Sequence, residues 1–222
     1  MMRLYTPIII LVLLALAITS ADAQGTFGNL DFESANIPSG TPPNAAISSL
    51  NAFPKWSANS MVGYDFFSTG GTVISIVDSA VSGFAPIQGD YSVFLFGGAG
   101  DVATLSQTAI IPMGSHSLTV DLTGSGVSLL NISIGDQTIQ IVPLATFANY
   151  TEYGGDISTF AGQEQQLSFT EQPPMGVPPS VLELDDVAFS PNLVPEPTIW
   201  NLILCGTAFF GLTRSEQPDC NS

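Results

Sequence analysis

The chain reads as all-β: a two-sheet jelly-roll sandwich, flanked by a short apolar segment at each end. Three observations predict this class. Short runs of β-branched and aromatic residues recur along the chain, separated by Gly, Pro, Asp and Ser. No stretch between the termini sustains helical periodicity. Only 10% of the 222 residues are charged, while Gly (21) and Pro (16) are plentiful, which is not the composition of a helical bundle.

The runs come in order. Thr72–Val77, Tyr91–Phe96, Leu105–Ile111, Ser117–Leu122, Val127–Ile134, Thr138–Val142, Gln166–Thr170 and Val181–Ser190 each read as a strand. Ser117–Leu122 alternates polar and apolar residues with the period of two expected of a half-buried strand. Ile132-Ser133-Ile134 and Ile139-Gln140-Ile141 flank Gly135-Asp136-Gln137, which reads as a β-hairpin. About eight or nine strands at this spacing make a sandwich. The apolar phase of the last strand switches at Asp185-Asp186: Leu182 and Leu184 share one phase, Val187 and Phe189 the other. A bulge there would account for the switch and would re-aim the neighbouring side chains.

Charge excludes several functions. Nineteen acids face three bases, a net charge of −16. Such a chain does not hold nucleic acid by phosphate neutralisation, nor dock on anionic lipid through a basic surface. All the acids except Asp22, Glu196, Glu216 and Asp219 lie between Gln24 and Leu193, against the single base Lys55. That segment has no Cys, so it folds without disulfides.

Both ends read as addresses. Met1-Met2-Arg3, an apolar run from Pro7 to Ile18 and Ala21-Asp22-Ala23 make a secretory signal peptide over 1–23. The domain occupies 24–193. Val194-Pro195-Glu196-Pro197 then precedes a mostly apolar stretch, Thr198 to Leu212, and Arg214. This arrangement over 194–222 resembles the PEP-CTERM sorting signal of Gram-negative bacteria: a V-P-E-P box, a hydrophobic transmembrane helix and a basic tail. Here the tail has Arg214 alone. The resemblance implies transient inner-membrane anchoring through that helix, processing by an exosortase-type enzyme, and delivery to the cell surface or extracellular matrix.

The domain carries a second resemblance. It opens Asn29-Leu30-Asp31-Phe32-Glu33, continues through Phe53-Pro54-Lys55-Trp56 and Gln88-Gly89-Asp90-Tyr91, and closes Leu184-Asp185-Asp186-Val187-Ala188-Phe189. This is similar to the galactose-binding-like jelly rolls of exported bacterial proteins and carbohydrate-binding modules. The resemblance implies that the first and last strands lie together. It also implies a structural Ca²⁺ held by opening-strand and closing-strand acids, here Glu33 and Asp186, with Asp31 and Asp185. Calcium takes six to eight oxygens; the same acids read equally as solvated charge and a turn cap.

Sugars lie with their C–H faces on exposed rings, and Trp56, Tyr64, Tyr150 and Tyr153 are the candidate platforms, the last two in a loop, Tyr150–Asp156, that also carries Glu152. Trp56, after Phe53-Pro54, reads as readily as a core residue. Catalysis has little support: His116 is the only His, and no G-x-S-x-G elbow or phosphate-cradling glycine loop occurs. The expectation is a non-catalytic exported surface or matrix protein contacting extracellular polysaccharide. The alternatives are a purely structural matrix or envelope protein without a sugar site and, less favoured, an enzyme acting on polysaccharide.

Overall fold

The computed structural model describes residues 25–65, 74–79, 85–97, 101–175 and 178–194. The signal peptide, the apolar C-terminal stretch and Pro195, Glu196 and Pro197 lie outside the described residues; of the box only Val194 is within them. Among the described residues thirteen strands form two sheets. The larger holds β1 (Ala45–Ile47), β3 (Val62–Tyr64), β4 (Ile74–Asp78), β5 (Tyr91–Gly97), β13 (Ser180–Ser190), β7 (Ser117–Thr123), β11 (Thr151–Asp156) and β10 (Ile141–Thr146), in that spatial order. The smaller holds β2 (Ser57–Ala58), β6 (Ala103–Ile110), β12 (Glu164–Glu171), β8 (Leu130–Ile134) and β9 (Gln137–Ile139). All pairs are antiparallel except β3–β4. A short α-helix, α1, spans Ser49–Ala52 and begins on the Ser48 side chain, which accepts from the Leu50 amide. Among the described residues no helix is long and apolar enough to cross a membrane.

Alternation builds the core. Leu118, Val120 and Leu122 of β7, with Leu182 and Leu184 of β13, face Leu105, Ile132, Ile134, Leu167 and Phe169 of the smaller sheet, all buried. Phe32, Phe53, Trp56 and Phe169 close one end of it, with ring centroids 5.6–6.2 Å apart. Buried Gln107 acts as a piece of strand: its amide donates to the Gly28 carbonyl and its oxygen accepts from the Gly28 amide. With the Thr26–Ile110 bridge, this pins the incoming chain to β6.

Several expectations change on folding. The opening Asn29–Glu33 is not a strand. It is a pair of turns with Asn29 (φ 53°) and Phe32 (φ 57°) in the left-handed region, and Phe32 rather than an alternating face enters the core. Trp56 lends its indole N–H to the Asn29 carbonyl and fixes that turn. Tyr150–Asp156, read as a loop, is mostly strand β11, because Gly154 and Gly155 sit where larger side chains would strike Leu144 and Ile139. Val127–Leu129 forms a turn of 3₁₀ helix before β8, and the expected strand Thr138–Val142 splits between β9 and β10. The hairpin at Gly135-Asp136 is present, with Ile134 opposite Gln137. Edge strand β10 carries Pro143, beside which its pairing with β11 shifts register.

Phe169→Ala should cost about 3–5 kcal/mol of folding stability, because it opens a cavity between the sheets against Trp56. Urea unfolding of the variant and the parent protein checks it; a loss below about 1 kcal/mol would contradict this account of the core.

Candidate functional site

Two regions gather most of the residues that sequence reasoning singled out, and the first depends on β13. Its register against β7 shifts between Asp185 and Ala188, and Asp186 takes a left-handed conformation (φ 45°). The bulge read from the apolar phase is therefore present. The Val187 amide beyond it donates to the Leu30 carbonyl at 3.0 Å, joining the closing strand to the opening turns.

Asp31, Glu33, Asp185 and Asp186 line one cleft of about 180 Å³ with Gln88 and Gly89. The segment 87–91 lies over this part of the sheet as a strap, and carboxylates hold it. Asp185 Oδ2 accepts from the Gln88 amide (3.1 Å) and the Ser92 hydroxyl (2.9 Å). Glu33 Oε1 accepts from the amides of Asp90 (2.9 Å) and Tyr91 (3.1 Å). The Gln88 side-chain amide donates to Asp121 Oδ2 (2.7 Å) and Asp186 Oδ2 (3.4 Å). A Cβ on Gly89 would strike the Glu33 carboxylate, and its backbone is left-handed (φ 57°), so glycine is required there.

The four acids thus share a cleft, yet they do not make a ligand set that fits a calcium ion as they stand. Asp185 and Glu33 already spend oxygens on amides and a hydroxyl. Among the described residues no group of three or more His, Cys, Asp or Glu is arranged to hold a metal.

Burial governs the ionisation here. Asp185 is 1% exposed and Glu183 7%, and burial pushes each carboxyl up to about 7. Burial also raises Asp121, as it does Glu171, which is fully buried under Gly126 and accepts from the Ser180 hydroxyl. One oxygen each of Glu171 and Glu183 has no hydrogen-bond partner.

The second region is the turn joining β10 to β11. Tyr150 and Tyr153 line an open pocket of about 350 Å³ with Leu122, Thr123, Val127 and Phe147. Phe147, half exposed, stacks on Tyr150 with centroids 4.6 Å apart, while Tyr153 packs its ring against the core. Asn149 donates to the Ile87 carbonyl and ties this turn to the strap. Trp56 is no platform: it is 3% exposed, packed between Phe32 and Phe169, with no ring face open to solvent. Sequence reading missed Phe147 and Gln88. The Gln88-Gly89-Asp90 turn before a strand was a usable signal for Gln88; nothing in the sequence marked Phe147 as exposed.

His116 lies beside Ser158 (3.3 Å), whose hydroxyl donates to Asp156 Oδ1. Here the serine sits between acid and imidazole. A nucleophilic triad needs the imidazole between them, and the Ser158 proton is already committed to Asp156, which also caps the Ser158 amide.

No family model matches the chain, and no curated protein matches it. Among solved structures, the chain is similar to the carbohydrate-binding module TmCBM61 in complex with β-1,4-galactotriose. That match has 14% identity over 74% of this chain and 96% of that one, with a TM-score of 0.46. It is similar to the K2 cleaved adhesin domain of Lys-gingipain at 11% identity over 61% and 90%, TM-score 0.40. It also matches the secreted serine protease VesC from Vibrio cholerae at 14% identity over 46% of this chain and 22% of that one, TM-score 0.33.

Two outcomes follow from the carboxylates. Raised folded-state values mean that stability is fullest below the ordinary carboxylate range and is lost as pH climbs through about 7. The melting temperature should fall on the order of 5 °C between pH 5 and pH 8. Glu171→Gln and Glu183→Gln should flatten the slope; a melting temperature that rises over that interval would overturn the assignment. Melting in millimolar calcium and in chelator should agree within about 1 °C; a rise of several degrees with calcium would mean that the cleft rearranges into a ligand set.

Proposed function

We propose that the protein is a non-catalytic, exported cell-surface or matrix protein whose sandwich contacts extracellular polysaccharide at the Phe147–Tyr150 pocket. The observation that carries the reading is the stacked ring pair, half-exposed Phe147 on partly buried Tyr150, at an open pocket of about 350 Å³. Such concave sites, part apolar and part polar, are where small ligands and sugar units are held. The rings supply a flat apolar face for the C–H side of a pyranose. Thr123, Thr146, Asn149 and Thr151, also in the lining, supply donors and acceptors for its hydroxyls. Each ring loses little side-chain freedom on binding, because Phe147 and Tyr150 already brace each other.

In this reading the domain is cargo. The leader over 1–23 exports it, and a PEP-CTERM-type signal over 194–222 delivers it, through an exosortase-type enzyme, to the surface of a Gram-negative cell. The described residues are consistent with a tail leaving from the sandwich. Ser117 donates to the Asn192 carbonyl, and Val194 comes near Gly154.

Affinity electrophoresis of the protein in gels containing soluble polysaccharides tests the reading. Retardation in at least one neutral or charged glycan is expected, with Tyr150→Ala and Phe147→Ala each weakening it by roughly tenfold and leaving the melting temperature within a few degrees. Migration unaffected by every glycan would leave a structural matrix protein without a sugar site. Mass spectrometry of the native product is expected to show the chain starting at Gln24 and lacking the apolar C-terminal stretch.

A further inference from the structure

The face beside the aromatic pocket carries charge of one sign. Pairing places Glu152 of β11 directly opposite Asp121 of β7, and Asp121 directly opposite Asp185 of β13. Residues directly opposite in an antiparallel pair point to the same side. Leu118, Val120 and Leu122 face the core, so this acid row lies on the outer face of the larger sheet. Like charges in such positions repel. Glu183 lies on the same face two residues before Asp185, between Phe94 and Thr123; it is 7% exposed and leaves an oxygen unpartnered. Thr123 also lines the aromatic pocket.

No side-chain cation answers this row. Lys55 is the only Lys or Arg among the described residues, and it lies against Gly28. His116 is beside Ser158. The acids are met by neutral donors alone among the described residues: the Ser92 hydroxyl and the Gln88 backbone amide on Asp185, and the Gln88 side-chain amide, which bridges Asp121 to Asp186. Asp121 is therefore the buried centre of the group, with half-buried Glu152 on one side and exposed Asp186 on the other.

The row lies next to the turn that carries the rings. Tyr150 precedes Glu152 by two residues, and Asn149 is bonded to the strap that carries Gln88. After desolvation, the charges of Asp121, Glu152 and Asp186 hold the Tyr150 hydroxyl above its ordinary range.

We infer that the pocket is selective for an amine-bearing polysaccharide, the sugar ring lying against the Phe147–Tyr150 stack while its protonated amine meets Glu152 and Asp186, with Asp121 behind them. The inference rests on the polysaccharide reading above and adds the ligand's charge class. A cation beside an aromatic face and between carboxylates gains from both, and a ligand amine supplies the counter-charge that the chain lacks. A basic peptide would find the same acids, but it has no use for the flat ring face of the Phe147–Tyr150 stack.

The test is titration calorimetry of the full chain at pH 6 with a β-1,4-linked glucosamine hexamer, its N-acetylated counterpart, a neutral β-1,4-galactan oligomer and an oligolysine of equal charge. The amine-bearing hexamer is expected to bind at least about tenfold tighter than the acetylated one. High salt should erode that advantage. Glu152→Gln and Asp186→Asn should each reduce it several-fold while leaving neutral-glycan affinity unchanged; asparagine tolerates the left-handed backbone at 186. Tyr150→Ala should weaken binding of all the sugars by roughly tenfold. Equal affinity for amine and acetylated hexamers, or a preference untouched by both acid substitutions, overturns the inference and leaves the polysaccharide reading standing. Oligolysine binding that matches the glucosamine hexamer and survives Tyr150→Ala would show a plain acidic patch instead. Absence of binding to every sugar would sink the polysaccharide reading itself, and the inference with it.

Discussion

One extra residue in the last strand sets the geometry of the functional end of this domain. Up to Leu184, β13 sends its even-numbered side chains into the core; from Val187 onward it sends the odd ones. Asp186 absorbs the difference by taking a left-handed backbone that short polar side chains tolerate. The shift frees the Val187 amide for the opening turns, aims Asp185 under the strap and leaves Asp186 at the surface. A regular strand would have continued the ladder with β7, and neither the opening turns nor the strap would find these partners.

The domain also shows what carboxylates do where there are almost no bases. Folded proteins commonly pair acids with Arg or Lys. Here the acids accept from backbone amides, hydroxyls and one glutamine side chain. Those in deeper positions keep their protons to higher pH because burial disfavours the charged form. Hydrogen bonding and protonation together make a net charge of −16 compatible with a close-packed sandwich.

Sequence periodicity revealed the strands that carry the core, since β5, β7, β8, β12 and β13 have β-branched or aromatic residues on a buried face. The phase switch at Asp185-Asp186 was legible for the same reason; the gathering of Asp31, Glu33, Asp185 and Asp186 was implied by the resemblance to galactose-binding-like jelly rolls. Strands β1, β2 and β3 were not legible, being two or three residues long with Ala, Ser and Gly among them. Strand β11 was hidden because its glycines answer to crowding by Leu144 and Ile139, a tertiary fact that no local pattern carries. Trp56 could be platform or core from its neighbours alone, and the contact with Phe169, more than a hundred residues away, decides it. The pairing of Phe147 with Tyr150 likewise depends on where the β10–β11 turn closes.

Pro143 has a consequence beyond its own strand. β10 is the outer rail of the larger sheet, and an unguarded rail offers a row of amides and carbonyls to any passing extended chain. Proline removes one donor from the middle of that row, and the slipped register beside it spoils the spacing of the rest. Molecules of this chain crowded together would therefore find a poor template along this rail for continuing each other's sheets into fibres, which helps an acidic sandwich to be packed densely and still remain a population of separate particles.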